Sequence, residues 1–280
     1  MTAIARSTVQ TMTTPDVATV LGAYLDIVDD VAPGLVEGLY VVGSYALDDW
    51  VPGCSDVDIV AVTAEPCTDD DAGDLRTVHA LLSEQWPRPY VDGPYVAWGD
   101  LVVEPATGLH RPWVLQGELH HDGDCFEINP VTWYLLATNA VTVRGPDPAT
   151  LGIPHDAEAR IRFVIDNLQG YWAGVARQVR TALQRDDVPD FDAASYVWCA
   201  LGALRLHHTA FTGDVVSKRG AGLHGLDVAP EALHPALRTA LALRAAGESG
   251  SVAAASMSDA AAVIEWVLDD VERALALRGH

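Results

Sequence analysis

Gly38-Leu39-Tyr40-Val41-Val42-Gly43-Ser44 and, after eleven intervening residues, Asp56-Val57-Asp58-Ile59-Val60-Ala61-Val62 decide how this chain is read. The first stretch is a β-prone apolar run ending in two small residues, where a backbone can approach a phosphate closely. The second resumes a strand after a polar loop. In an extended strand residues i and i+2 share a face, so Asp56 and Asp58 point one way while Val57 and Ile59 point into a core. Two carboxylates about 6 to 7 Å apart along a strand repel each other unless a cation lies between them. Hard oxygen donors suit Mg²⁺, which keeps waters and takes further ligands from substrate phosphates. Asp-x-Asp alone is most often a solvated surface acid; the strand context and the upstream Gly-Ser turn point instead to nucleotide chemistry.

Composition narrows the partners. The 280 residues carry a formal charge of −22, which argues against nucleic acid, because phosphate binding needs a basic surface. A small cationic partner would be drawn in by the same field. No apolar run reaches the ~18 residues of a membrane span, and Met1 to Val20 lack the apolar core of a secretory signal. Cys54, Cys67, Cys125 and Cys199 are scattered without metal-ligand spacing, so free thiols in a cytoplasmic protein are expected. A monomer is expected as well.

The chain has 17 Lys and Arg in total, of which 16 are Arg, so Lys218 is its only lysine. It lies thirteen residues after Arg205, with Thr212-Gly213 between them. An ordinary surface carries many interchangeable lysines, so a lysine found at one position only is singled out by its rarity.

Periodicity divides the chain into residues 1–150 and 151–280. Helical spacing runs from Asp16 to Val31, strands are expected at 38–44 and 57–63, and a second helix at Asp69 to Gln85. A third strand follows at 89–96, where Pro94 predicts an edge or a bulge. Trp113 to His121 reads as one strand, Asn129-Pro130 as the cap and first residue of a short helix, and Val141 to Arg144 as a brief extended segment. Gly145-Pro146-Asp147-Pro148 marks the boundary. Beyond it, 155–185, 192–211, 230–246 and 254–278 have helical spacing. His207-His208 and His120-His121 lack metal-ligand company, and Trp133, Trp172, Trp198 and Trp266 fall on apolar helix faces, where packing is expected.

Gly43-Ser44, the gap, and then Asp56-Val57-Asp58-Ile59 resemble the signature of the polymerase-β-like nucleotidyltransferase superfamily. Within it, Arg205, Thr212-Gly213 and Lys218 resemble the aminoglycoside 3″/9 adenylyltransferases, which modify streptomycin and spectinomycin. The resemblance runs from about residue 20 to the C-terminus, although only short stretches of it are specific. It implies an α/β N-terminal domain with a small mixed sheet and an all-α C-terminal bundle closing an ATP and acceptor cleft. It also implies ATP, two Mg²⁺ ions, and phosphate contacts from Gly43, Ser44, Arg205 and Lys218. Asp56 and Asp58 would hold metal, together with a third carboxylate that serves as base. Asp92 is the candidate at the family's glutamate position, with Glu104 as the alternative.

The resemblance leaves the acceptor open. Streptomycin-modifying members carry a Trp after a Gly-Glu pair and another shortly before a Pro-Asp. Here Gly117-Glu118 is followed by Leu119, and residues 182–188 before Pro189-Asp190 contain no Trp. Glu118 and Asp190 could pair with ammonium groups on opposite walls. Spectinomycin fits the missing Trp residues better than streptomycin. The alternatives are a non-antibiotic small molecule or a protein acceptor of antitoxin-like type.

Overall fold

The computed structural model describes residues 15–105, 109–185 and 189–278. The reading of the first fourteen residues and of Asp186, Asp187 and Val188 lies outside that range.

Helix α1, Val17–Val31, starts where the Asp16 carboxylate accepts a hydrogen bond from the Thr19 N–H at 2.7 Å. This N-cap satisfies a backbone donor that the helix itself leaves unpaired. Its Val17, Val20, Leu21, Tyr24 and Val28 are buried. Strand β1, Gly38–Val41, is shorter than the apolar run suggested, because Gly43–Ala46 turns into a one-turn helix, α2. Strand β2 is Val57–Thr63, and α3, Asp69–Gln85, is opened by a reciprocal Thr68/Asp71 capping box.

Strand β3, Val91–Ala97, leads through the short α4, Trp98–Leu101, to β4, Trp113–Leu115, and β5, Glu118–His120. Then come α5, Pro130–Thr138, capped by Asn129, and β6, Val141–Arg144. The six strands form one sheet in the order β5-β4-β3-β2-β1-β6. Only β2 and β3 are parallel, and α3 is the crossover joining them. The sheet has two apolar faces. Leu39, Ile59 and Tyr95 pack with α1 and α3, whereas Tyr40, Val60 and Val96 pack with Trp133 and Leu136 of α5.

Two expectations need correction. Strand β3 is interior, because β4 covers the side that Pro94 was expected to leave open. The proline is accommodated by an interruption: the β2–β3 register pairs Asp58 with Asp92 and Ala61 with Tyr95, skipping Gly93-Pro94. The segment 113–121 is a hairpin rather than one strand. Gln116 and Gly117 both have positive φ, 53° and 76°, as a two-residue turn matching the twist of its strands requires.

The second half is helical. Helix α6, Ala157–Asn167, passes through a π-turn at Leu168–Trp172 into α7, Ala173–Leu183. Then come β7, Phe191–Asp192; α8, Ala193–Thr212; α9, Lys218–Val228; and α10, His234–Ala245. Strand β8, Ser251–Val252, pairs with β7 before α11, Ala254–Arg278. Helix α8 is the hub, with twelve buried residues and neighbours α6, α9, α10 and α11 around it. The sequence reading missed α9, whose three glycines and two basic residues hide its apolar face. Its core, with Leu201, Leu204, Leu237 and Ile264, is separate from the two cores flanking the sheet.

Candidate active site

The carboxylates come from the strands and the cations from the helices. On β2, Asp58 lies directly under Gly43. A Cβ built on Gly43 would lie 1.8 Å from Asp58 Oδ2, and φ there is +61°, so both space and backbone conformation demand glycine. The Ser44 N–H donates to the Asp58 carboxylate, and Arg205 faces it from α8. Burial outweighs both and raises the Asp58 pKa to about 6. Asp56, one strand repeat away, accepts a 2.8 Å hydrogen bond from Arg88 Nη1. Burial pushes its pKa up as well, against the pull of Arg88.

Asp92 sits beside Asp58 in the parallel register, 4% exposed. The β4–β5 turn supplies its partners: Gln116 N–H donates at 2.7 Å to one oxygen and Gly117 N–H at 3.0 Å to the other. These bonds hold the carboxyl in place, while burial lifts its pKa to about 6. Glu104 is exposed and lines neither of the cavities described below.

Lys218 is the first residue of α9, behind the Ser217 cap, and its Nζ lies 3.9 Å from Glu248 Oε1. Arg205 donates from Nε to the Val216 carbonyl at 3.2 Å. Burial lowers the pKa of both. A third cation, Arg244 of α10, completes the set and escaped the sequence reading. It donates to the Asp49 carbonyl at 2.7 Å and carboxylate at 3.2 Å, and to Glu248 at 2.6 Å. Its side chain and those of Asp49 and Glu248 are all nearly buried, at 5%, 7% and 6% exposure. The Arg219 N–H of α9 also donates to Asp49, at 3.1 Å. Only an interior position in an otherwise unremarkable Leu-Arg-Ala run marked Arg244, and no spacing rule selects it.

Two cavities meet here. One of about 230 Å³ is lined by Ser44, Asp56, Asp58, Arg205, Lys218 and Arg244. The other, about 580 Å³, lies between α5, α6 and α8, bordered by Gly43, Asp58, Arg205, Phe126, Glu127 and Phe163. The structure thus gathers Gly43, Ser44, Asp56, Asp58, Arg205 and Lys218, while Asp92 pairs with Asp58 across the β2–β3 ladder and, like Glu104, lines neither cavity. Glu118 and Asp190 are exposed and line neither cavity. Leu119 turns into the core beneath α1 and α3.

Among the described residues, no three His, Cys, Asp or Glu side chains converge on a common metal position. The reason is local: Arg88 draws Asp56 aside, and the hairpin turn holds both oxygens of Asp92. The donors present nevertheless fit Mg²⁺, which needs only one or two carboxylates when phosphates and waters supply the rest. The Asp56 charge adds to the cost of ionising Asp58. His207, by contrast, bonds to His224 at 2.9 Å and Asp270 at 3.1 Å within the helical core, a structural use of its ring.

A glycine-bounded turn over acidic residues, faced by buried cations, is an arrangement able to hold phosphate groups beside carboxylates. Residues 23–91, which include Gly43, Ser44, Asp56 and Asp58, match the family model described as nucleotidyltransferase domain. The chain as a whole has the fold of a solved adenyltransferase. Its structure is similar to the spectinomycin adenyltransferase AAD(9) from Enterococcus faecialis, solved with ATP and spectinomycin, with a TM-score of 0.64 and 13% identity over 92% of this chain and 100% of that one. No curated protein matches the sequence. No helix among the described residues is long and apolar enough to cross a membrane.

Proposed function

We propose that this protein is an Mg²⁺-dependent O-adenylyltransferase that moves AMP from ATP to a hydroxyl of a small cationic acceptor of aminocyclitol or aminoglycoside type, with spectinomycin favoured over streptomycin. The observation carrying this reading is the facing of Asp56, just before β2, and Asp58, on β2, by Arg205, Lys218 and Arg244 across one small cavity. Such a cavity suits a triphosphate, whose oxygens need cations, next to carboxylates that need a metal. The expected division at residues 1–150 and 151–280 places these two sets in different domains, so closure assembles the site.

The β- and γ-phosphates lie against Lys218, Arg205 and Arg244, with the Gly43-Ser44 turn close to the chain of phosphates. Lys218 gives a compact charge and the arginines give planar forks. Asp56 and Asp58, with Asp92 nearby, would hold Mg²⁺, which when bound would supply neutralisation of the phosphate charge. The acceptor oxygen attacks the α-phosphorus, its proton passes to Asp92, and pyrophosphate departs with the bonding electron pair. A base with a pKa of about 6 is ionised at neutral pH and still accepts a proton usefully. The two N–H groups from the β4–β5 turn fix its direction. Glu118 and Asp190 serve as outer contacts for acceptor ammonium groups.

The test is an acceptor screen with labelled ATP over spectinomycin, streptomycin and other aminoglycosides, with Asp58→Ala as control. Labelled acceptor and pyrophosphate are expected with the wild type, and a loss of at least about 10³-fold in the control. Transfer of label to protein, or to none of these acceptors, would remove the antibiotic assignment.

A further inference from the structure

The two cavities share Gly43, Asp58 and Arg205 and differ in the ionisable side chains that line them. The smaller sets Arg205, Lys218 and Arg244 against Asp56 and Asp58. The larger sets Asp58, Asp124 and Glu127 against Arg205 alone. A triphosphate is attracted to the first and repelled by the second. We propose that Glu127 binds an ammonium group of the acceptor inside the larger cavity, and so selects cationic acceptors for transfer at Asp58. The proposal rests on the adenylyl-transfer reading above and names the inner contact that reading lacks.

Local structure fixes where Glu127 points. Cys125 and Ile128 on either side are fully buried. Asn129 then caps α5 through Val131 and Thr132 and ties back to the Phe126 carbonyl at 3.0 Å. The Glu127 carboxyl has neither a hydrogen bond nor an ion pair among the described residues. Burial, and then the like charges of Asp58 and Asp92, lift its pKa to about 8, so on its own it is held largely protonated and a bound ammonium would favour its ionised form. An enclosed carboxylate of this kind is costly unless something positive completes it. Asp124, in the same cavity, already has His110 at 2.9 Å.

The remaining walls fit the same ligand. Phe126, Phe163, Val131 and Leu135 give an apolar lining for a saturated ring, and Asn167 and Thr132 add neutral polar groups for hydroxyls. The cavity is large enough for a small saturated ring system and opens at Asp58, where the transferred phosphorus must lie. A ribose would offer Glu127 only hydroxyls, with no positive charge to favour its ionised form.

The experiment combines kinetics and binding, with spectinomycin as the probe. Steady-state constants are measured for wild type, Glu127→Gln and Glu127→Asp. Calorimetry then follows spectinomycin binding to each protein saturated with a non-hydrolysable ATP analogue. Glu127→Gln should raise the acceptor KM and Kd about 10- to 100-fold while kcat and the ATP KM stay within about twofold. Glu127→Asp should recover part of the affinity, which separates a charge effect from misfolding. A neutral, di-N-acylated spectinomycin should bind wild type and Glu127→Gln equally. The proposal is overturned if the ATP KM rises instead, if acceptor Kd is unchanged, or if the neutral derivative loses as much affinity. Glu127-dependent binding without AMP transfer would remove the transfer reading and keep the ammonium contact. A wild type that neither binds nor modifies the probe removes both.

Discussion

The sheet and the helical bundle bring opposite charges to one place. Strands β2 and β3 contribute Asp58 and Asp92, with Asp56 immediately before β2, while helices α8, α9 and α10 contribute Arg205, Lys218 and Arg244. Each side is destabilised by its own arrangement: burial raises the pKa of the acids and lowers that of Arg205 and Lys218. The difference teaches that neither half is electrostatically complete. What joins them is the Asp49–Arg244–Glu248 group, whose members are nearly excluded from water.

Breaking that junction should have the largest effect. Arg244→Ala leaves Asp49 and Glu248 buried without their cation and should lower unfolding free energy by about 3 kcal/mol, measured by urea denaturation. A loss within error would mean that water, not Arg244, satisfies those carboxylates. Lys218→Ala comes next, since Lys218 faces the cavity and touches only Glu248 at 3.9 Å. It should cost about 10- to 100-fold in kcat/KM for ATP with a near-normal melting curve. Unchanged ATP kinetics would take Lys218 out of the phosphate site.

The smallest effect sharpens the acid side of the comparison. Asp58 has a folded pKa of about 6 against a model-peptide value of 3.8. The folded state therefore retains a proton that the unfolded chain releases, and stability falls as pH rises from about 4 through 6. In metal-free protein, Asp58→Asn should be neutral near pH 4 and stabilising by about 2 kcal/mol at pH 8. Melting temperatures across that range give the answer; a gain that is greatest in acid would contradict the sign.

The sheet half was the more legible in sequence, and for local reasons. Helix α1 is framed by Asp16 and Pro33-Gly34, α3 by its acidic first turn, and β2 by alternation after Asp56. Pro94 misled because a proline inside a sheet needs only a skipped register, which pairing decides and sequence does not show. The hairpin was missed although Gly117 signals a turn, and with it the anchoring of Asp92 by Gln116 and Gly117. In the helical half, Arg205 and Lys218 were found through spacing and rarity. Arg244 and Glu127 were not, because each acquires its meaning from residues distant in sequence: Asp49 for one, and Asp58 and Asp92 for the other.

Lys218 carries a further consequence for experiment. It holds the only side-chain amine of the chain, at the start of α9 and 27% exposed. Burial lowers its pKa, so a larger share is unprotonated and nucleophilic than for an ordinary lysine. Amine-acylating reagents therefore meet a single side chain, and that one lines the cavity shared with Asp56 and Asp58. The molecule carries its own footprinting label, with occupancy of the pocket readable as protection of one residue.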